Sequence, residues 1–205
     1  EIRRHIAQLF YKPIISLIMP VYNTPERWLR LAIESVQRQL YPHWELCIAD
    51  DASFDPIVKE ILQEYASKDT RIKVAFRPDN GHISAASNTA IEMATGEFIA
   101  FLDHDDELSE HALYMVAVEL NAFRDTDLIY SDEDKIDEKG RRYDPYFKPD
   151  WNPALFSAQN FICHLAVYRA RIIRELGGLR VGYEGAQDWD LAMRITEEIP
   201  AERIR

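Results

Sequence analysis

Two aspartates separated by one residue follow a short apolar segment near the middle of the chain. Asp103 and Asp105 come directly after residues 98–102, which have the length and composition of a buried strand. Because side-chain alternation ends with the strand, both carboxylates can turn toward one cation, and Mg²⁺ and Mn²⁺ prefer such oxygen ligands. A calcium-binding EF-hand loop is disfavoured, since its glycine position is occupied by Leu108. Taken alone, such a pair is more often a solvated acidic loop.

A second pair of acids, Asp50 and Asp51, ends another predicted strand at residues 45–49. A carboxylate there can accept a hydrogen bond from a nucleotide base or from a ribose hydroxyl, and we expect Ser53 to cap the helix that follows. The same residues are equally well explained as a turn that enters a helix.

Three residues at the end of the first predicted strand, residues 14–21, extend this pattern. Pro20, Tyr22 and Asn23 could place an aromatic edge beside a base. A buried tyrosine followed by a turn asparagine explains them equally well.

Asp188 is the candidate catalytic base. It follows Gly182 and Gly185 at the start of the last predicted helix, residues 188–197, and could project from a loop into a pocket. The alternative is an N-cap aspartate that satisfies free backbone amides, and we expect Asp190 to serve that helix terminus.

Aromatic residues follow a third acidic run at residues 132–134, and sugars stack on such rings. Packing of a loop is the favoured explanation for each ring except Trp151. His164, in the predicted apolar strand 161–168, is more often a core imidazole than a ligand. The rings are those of Tyr143, Tyr146, Phe147 and Trp151.

The elements that must position these residues alternate along the chain. Apolar runs at residues 14–21, 45–49, 72–76 and 98–102 are each followed by a segment with helical spacing, which makes four strand–helix repeats. Such alternation predicts an α/β fold with a mostly parallel central sheet flanked by helices, whose ligands collect at the carboxyl ends of the strands. Residues 132–160 are predicted to be rich in loops.

Composition limits the classes of function. With 205 residues, 47% of them apolar, the chain is long enough for one buried core. The net charge of −11 disfavours a nucleic-acid partner, because such proteins usually carry a basic face. Much of the acidity is local, which indicates cation binding. Cys47 and Cys163 form no CxxC pair, so we expect free thiols in a reducing compartment.

The two ends of the chain suggest a piece cut from a longer protein. The chain begins without Met and stops at Arg205, directly after a helix-like segment. No stretch approaches the roughly 18 to 20 apolar residues that a membrane-spanning helix needs. We therefore expect a cytoplasmic domain that is truncated at both ends, and whose missing segments could hold it at the inner face of the plasma membrane.

Five segments in this order resemble family 2 glycosyltransferases, and the match covers nearly the whole chain. They are PVYNTP, CIADDAS, NGHISAASNTAIEMATGEFIAFLDHDD, YSDEDKID and GGLRVGYEGAQDWDLAMR. The likeness is greatest to the bacterial branch that builds O-antigen and capsular polysaccharides, often called rhamnosyltransferase-like. Two positions depart from the usual pattern of the family, which has an Arg where this chain has Ser87 and a Glu where it has Gln187.

This resemblance implies a GT-A fold with a Rossmann-like nucleotide-sugar-binding half, residues 14–106, and a smaller acceptor-binding half, residues 107–205. The implied reaction inverts the sugar as it passes from a UDP- or dTDP-sugar to a hydroxyl of a growing bacterial surface polysaccharide, a glycan or lipid-linked glycan. Asp188 would be the base, while Asp103 and Asp105 would hold Mn²⁺ or Mg²⁺. The implied nucleotide-sugar contacts are Pro20, Tyr22, Asn23, Asp50, Asp51, Asp103 and His104; the implied acceptor contacts are Trp151, His164 and Trp189.

Two other functions are weighed against this one. A nucleotidyltransferase of related fold would need a glycine-rich, basic loop after the first strand to hold a triphosphate, and Asn23-Thr24-Pro25 offers no such loop. A non-catalytic nucleotide-sugar or glycan-binding module of a larger synthase remains open.

Overall fold

The computed structural model describes all 205 residues, and a six-stranded sheet organises most of them. The strands are β1 (Ile15–Val21), β2 (Trp44–Asp50), β3 (Ile72–Phe76), β4 (Phe98–Phe101), β5 (Leu128–Tyr130), β6 (Glu133–Ile136), β7 (Arg142–Tyr146) and β8 (Ala166–Arg169). The large sheet has the order β3-β2-β1-β4-β8-β5, and β6 and β7 form a separate antiparallel hairpin. The first four strands of the large sheet are parallel, and β8 runs against both its neighbours, as the prediction of a mostly parallel sheet requires.

Helices cover both faces of the sheet. They are α1 (Ile2–Gln8), α2 (Glu26–Gln37), α3 (Pro56–Lys68), α4 (His82–Met93), α5 (Ala112–Ala122), α6 (Pro153–Phe156), α7 (Ala170–Glu175) and α8 (Gln187–Glu198). Alternate residues of β1 enter different cores: Ile15 and Leu17 pack with α2, α3 and α5, whereas Ile18 packs with α4, α7 and α8. Both faces are thereby buried, as a parallel sheet requires. None of the helices combines the length and apolar character needed to cross a membrane.

The predicted strand 161–168 was wrong in its first half. Strand pairing begins only at Ala166, and Phe161 and Ile162 are buried because they pack in the core shared with α4 and α8. An apolar run alone does not distinguish these two causes of burial. His164 therefore lies in a loop, and its side chain is 44% exposed.

The region 132–160, predicted to be rich in loops, contains the β6–β7 hairpin and the short helix α6. The hairpin escaped prediction because every residue of β7 is exposed, so its strands carry no apolar alternation. The predicted boundary between residues 106 and 107 separates β4 from β8, yet these two strands pair in one sheet. Both cysteines are free thiols, as predicted.

Candidate active site

The predicted site residues converge at one edge of the sheet because of strand direction. Parallel strands β1, β2 and β4 end together, which gathers Asn23, Asp51 and Asp103 at the carboxyl edge. The antiparallel strand β8 begins at the same edge, where its register with β4 pairs Ala100 with Val167. Continuing that register beyond the paired residues places His164 opposite Asp103.

Asp103, Asp106 and His164 form a cluster that can bind a cation. One potential ligand atom from each residue lies within 4.8 Å of the other two. His164 Nε2 is 3.9 Å from Asp103 Oδ2, and His164 Nδ1 is 3.8 Å from Asp106 Oδ2. Carboxylate oxygens with one imidazole are a donor set that suits Mn²⁺, and the oxygens alone suit Mg²⁺.

The charges of this cluster are poorly compensated by the protein. Burial raises the pKa of Asp106, the neighbouring His164 opposes that shift, and the negative charges of Asp103, Asp105 and Glu133 add to it. No lysine or arginine forms a salt bridge with Asp103, Asp105 or Asp106. A divalent cation would relieve this repulsion, so the residues present fit the metal that the acidic sequence implies.

Asp105 lies beside the cluster rather than within it. Its side chain is exposed. It lines two open spaces that lie on either side of residues 103–106, which we call the acidic loop. The role of Asp105 as a metal ligand therefore stays a prediction. Asp106, which sequence reasoning did not select, belongs to the same acidic run and could have been chosen from its neighbours.

An open pocket of about 480 Å³ lies between the end of β1 and the start of α4, and we call it the Tyr22 pocket. His104 on its wall has Nδ1 3.2 Å from the backbone oxygen of Pro20. Two predicted nucleotide contacts, Asn23 and Asp50, do not line it. The predicted residues that do line it are Pro20, Tyr22, Asp51, Asp103 and His104.

Asp51 is held firmly in the wall of the Tyr22 pocket. Its Oδ1 accepts hydrogen bonds from Arg77 Nε at 2.7 Å and from the backbone N–H of Gly81 at 3.0 Å. Arg77 also donates to Thr89 Oγ1 at 2.6 Å, which ties β3 to α4. Asp50 is buried, and its Oδ1 has no hydrogen-bond partner. Arg77 was missed by sequence reasoning because nothing local links it to Asp51.

Asn23 fixes the turn that follows β1. Its φ is +48°, and its Oδ1 accepts from the backbone N–H groups of Phe54 and Asp55 at 2.9 and 3.3 Å. Ser53 Oγ accepts from the N–H of Asn23 at 2.8 Å, so Ser53 does not cap α3 as predicted. The cap is Asp55, whose Oδ1 accepts from the N–H of Ile57 at 3.0 Å.

Asp188 lines a partly enclosed space of about 220 Å³ whose wall also includes Asp103 and His164, and we call it the Asp188 cavity. It adjoins the Tyr22 pocket at Pro20 and Asp103. Asp188 lies in the first turn of α8 and does not cap it, because the N-cap is Ala186 and makes no side-chain cap bond. Instead, Asp188 Oδ2 accepts a hydrogen bond from Asn160 Nδ2 at 2.7 Å.

Asp190 lies in the first turn of α8, the terminus that it was expected to serve, and its carboxylate is paired with Arg180 and Arg194. At the two positions that depart from the family pattern, Ser87 lines the Asp188 cavity and Gln187 Oε1 accepts from the N–H of Gly185 at 2.7 Å. The Arg180–Asp190 ion pair and the Gly185–Gln187 hydrogen bond connect the segment before α8 to the first turn of that helix.

Two other ionisable groups on the wall of the Asp188 cavity stay protonated near neutral pH. Burial raises the pKa of Tyr168, and the charge of Asp188 adds to that shift. Burial likewise raises the pKa of the Cys163 thiol, with a further contribution from Glu133. Neither group is therefore a ready base or nucleophile.

Beyond His164 an open groove of about 500 Å³ runs between the acidic loop and the β6–β7 hairpin, and we call it the hairpin groove. It adjoins the Asp188 cavity at Phe101 and His164, and its walls include Trp28, Asp106 and Tyr143. The Tyr22 pocket and the hairpin groove thus lie on either side of the Asp188 cavity, next to the acidic cluster.

The tryptophans predicted to contact an acceptor are engaged in packing. The ring of Trp151 lies 5.0 Å from that of Phe156 and 6.0 Å from that of Phe161, measured between centroids. Trp189 Nε1 donates to the backbone oxygen of Phe156 at 3.2 Å. Neither tryptophan lines the three spaces described above, whereas His164 lines two of them.

Comparison with known proteins identifies the family. The model of the family described as "Glycosyl transferase family 2" matches residues 16–177, more than three quarters of the chain. The chain belongs to glycosyl transferase family 2. The O-antigen biosynthesis protein RfbC of Myxococcus xanthus is 40% identical over 192 residues, which are 94% of this chain and 15% of that protein. The chain thus spans a small part of this relative.

Solved structures of glycosyltransferases share the fold, and the chain has the GT-A architecture that its sequence predicts. S. aureus TarS 1–349, crystallised with UDP-GlcNAc, superposes with a TM-score of 0.72 at 22% identity over 88% of this chain and 52% of that one. The mannosyltransferase PcManGT from Pyrobaculum calidifontis, solved with GDP-Man and Mn²⁺, gives a TM-score of 0.69 at 18% identity over 98% of this chain and 61% of that one.

Proposed function

We propose that this family 2 glycosyltransferase chain carries out inverting, metal-dependent transfer of a sugar from a nucleoside diphosphate to a hydroxyl of a bacterial surface polysaccharide. The observation that carries the proposal is that Asp103 of the acidic cluster and Asp188 line one partly enclosed cavity. A donor diphosphate held at the first residue would place its sugar beside the second. The name of RfbC supports an acceptor of the O-antigen type.

The nucleotide of the donor would occupy the Tyr22 pocket, with its base near the ring of Tyr22. That ring is 46% exposed and meets Phe54 edge to face at 6.4 Å, so it offers an apolar edge to a base. Asp51, fixed by Arg77 and Gly81, would contribute to this wall. The UDP-GlcNAc in TarS supports a UDP-sugar donor, and a dTDP-sugar is the alternative.

Asp103, Asp106 and His164 would hold the cation, with Asp105 as the further ligand that the family resemblance implies. The bound cation would neutralise charge on the diphosphate as it leaves. Mn²⁺ is the metal named with PcManGT, which supports Mn²⁺ or Mg²⁺ for this chain. His164 would then act on the donor side, rather than as the acceptor contact that the sequence suggests.

Asp188 would act as the general base. Its carboxylate would take the proton of the acceptor hydroxyl while that oxygen attacks the anomeric carbon from the side opposite the diphosphate. A single displacement of this kind inverts the anomeric configuration. The acceptor would approach along the hairpin groove. Trp28 and Tyr143 line this groove together with polar side chains, so an acceptor sugar could stack on a ring and form hydrogen bonds.

The test is an Asp188→Asn variant. Four nucleotide sugars are first screened with Mn²⁺ for thermal stabilisation of the chain: UDP-GlcNAc, UDP-glucose, dTDP-rhamnose and GDP-mannose. The one that stabilises it most is the donor. The rate measured is the release of nucleoside diphosphate with water as the acceptor. Because general-base assistance is worth about 10² to 10⁴ in rate, the variant should lose about that factor while it binds donor normally. An unchanged rate in the variant would exclude Asp188 as the base.

A further inference from the structure

Asn160 touches the carboxylate that the proposed function makes the base. It lies in the loop between α6 and β8, on the wall of the Asp188 cavity, and its Nδ2 donates to Asp188 Oδ2 at 2.7 Å. We infer that Asn160 is a positioning residue that orients the carboxylate of Asp188 toward the acceptor hydroxyl. This inference rests on the proposed role of Asp188.

The chemistry of the two groups fixes the direction of this hydrogen bond. An ionised carboxylate can only accept, so the amide nitrogen of Asn160 must face it. A reversed amide would bring two oxygens to 2.7 Å, which is repulsive. The amide oxygen of Asn160 is buried and has no hydrogen-bond partner. The side chain therefore keeps an orientation that leaves its own oxygen unsatisfied, and the contact with Asp188 is what favours that orientation.

The backbone that carries Asn160 is held by its neighbour. Phe161 is 1% exposed, and its ring lies 5.9 Å from that of Phe156 and 5.7 Å from that of Tyr130. The next residue of α8, Trp189, donates to the backbone oxygen of Phe156. Two consecutive residues of the first turn of α8 are thus bonded to the segment 156–160. Trp151 adds to this support, because its ring packs against those of Phe156 and Phe161.

One carboxylate oxygen remains available to the substrate. Asp188 Oδ2 accepts the bond from Asn160, so Oδ1 is the oxygen that would receive the proton. In the proposed step the acceptor oxygen forms a bond to the anomeric carbon, and the bond from that carbon to the phosphate oxygen breaks. Its electron pair leaves with the nucleoside diphosphate, and the proton passes to Oδ1. Without the bond from Asn160 the carboxylate could rotate, and Oδ1 would face the acceptor hydroxyl for a smaller fraction of the time.

The experiment compares two alanine variants on either side of α6. Asn160→Ala removes the bond to Asp188. The matched control is Asn152→Ala, which removes the bond that Asn152 Oδ1 accepts from the N–H of Leu155 at the start of α6. Each variant is measured for its thermal midpoint, its Kd for the chosen nucleotide sugar with Mn²⁺, and its kcat for release of nucleoside diphosphate with water as acceptor.

We expect Asn160→Ala to lower kcat about tenfold to a hundredfold with donor Kd changed less than twofold. Asn152→Ala should lower the thermal midpoint as much or more and leave kcat within twofold. Asn160→Asp, which keeps the shape but replaces the donor with an oxygen, should lose at least as much kcat as Asn160→Ala. In an Asp188→Asn background the Asn160→Ala change should cost less than twofold, because the group that it positions is gone.

The outcomes separate this inference from the proposed function. If Asp188→Asn keeps the wild-type rate, the proposed base is wrong and the inference fails with it. If Asp188→Asn is slow while Asn160→Ala matches Asn152→Ala in kcat, the base stands and the positioning role of Asn160 is refuted. A loss of donor affinity in Asn160→Ala equal to its loss in kcat would also refute it, because the residue would then serve binding.

Discussion

Carboxylates are paired with cationic side chains at the amino edge of the central sheet, whereas at its carboxyl edge they lie close to one another. At the amino edge, Glu45 is almost completely buried, and it accepts hydrogen bonds from Lys73 Nζ and Ser16 Oγ, each at 2.7 Å. Asp127, next to the start of β5, is paired with Arg169 at 2.5 Å and Arg203 at 3.0 Å. Each buried negative charge on this edge is matched by cations and N–H or O–H donors of the protein itself.

At the carboxyl edge, Asp103 and Asp106 lie together with His164 as their one potentially cationic neighbour within 4 Å. Here the charges of Asp103 and Asp105 add to the raised pKa of Asp106, and no lysine or arginine neutralises them. The difference indicates two roles: the carboxylates of the amino edge stabilise the fold, and those of the carboxyl edge would, in the proposed function, bind a cation and its ligand.

The pKa values of the two edges express this difference. Burial alone would raise the pKa of Glu45, yet the bonds from Lys73, Ser16 and Thr95 outweigh it and lower the pKa to about 2. Burial raises the pKa of Asp106, and the surrounding acids add to that shift although His164 opposes it. The ionised form is therefore favoured by the fold at Glu45 and disfavoured at Asp106.

The largest effect on stability is expected at the amino edge. Glu45→Gln should lower the free energy of unfolding by about 2 to 4 kcal/mol at pH 7, because it leaves Lys73 without its only carboxylate partner. Urea denaturation measures this loss, and donor affinity per folded molecule should not change. Glu60→Gln, an exposed glutamate of α3, is the control, with a change within about 0.5 kcal/mol. A similarly small change in Glu45→Gln would contradict the comparison.

The same glutamate predicts a dependence of stability on pH. Its folded-state pKa is lowered from the ordinary 4.5 to about 2, so its contribution is complete above pH 4.5 and is lost as the pH falls toward 2. The gap in unfolding free energy between wild type and Glu45→Gln should therefore narrow by about 2 kcal/mol from pH 7 to pH 3. A gap that stays constant over this range would show that the charge of Glu45 does not stabilise the fold.

A smaller effect of opposite sign is expected at the carboxyl edge. Asp106→Asn should raise the stability of the metal-free chain by less than about 1 kcal/mol, because its side chain is 47% exposed and solvent screens much of the repulsion. Stabilisation by Mn²⁺ should fall in the same variant. Thermal unfolding with EDTA and with Mn²⁺ measures both effects. If Asp106→Asn instead lowers the stability of the metal-free chain, Asp106 stabilises the fold and the comparison fails.

The sequence predicted the elements whose signals are local. The strands β1 to β4 were placed from their apolar runs, and the parallel sheet followed from their alternation with helices. Strand β8 was misplaced because Phe161 and Ile162 are as apolar as a strand but pack without pairing. The exposed β6–β7 hairpin offered no periodic signal at all.

The candidate site also contains some residues that local sequence signals predict and others that only the tertiary structure brings in. Asp103 and Asp188 could be chosen from motifs, because each stands at the end of an element near other acids. His164 could not be placed beside Asp103, since that contact depends on β8 running against β4. Asn160 could not be found either, because its bond to Asp188 joins residues 28 positions apart through tertiary packing.

The most direct test of the account is the thermal midpoint with UDP and Mn²⁺, each alone and together. Because the carboxyl-edge acids need a cation to hold a diphosphate, the two together should raise the midpoint by about 5 to 10 °C at a hundred times Kd, and far more than either alone. Asp103→Asn should abolish this joint shift, and Asp188→Asn should keep it. A shift of equal size in EDTA, or in Asp103→Asn, would contradict the central claim that this edge binds a metal-bound nucleotide.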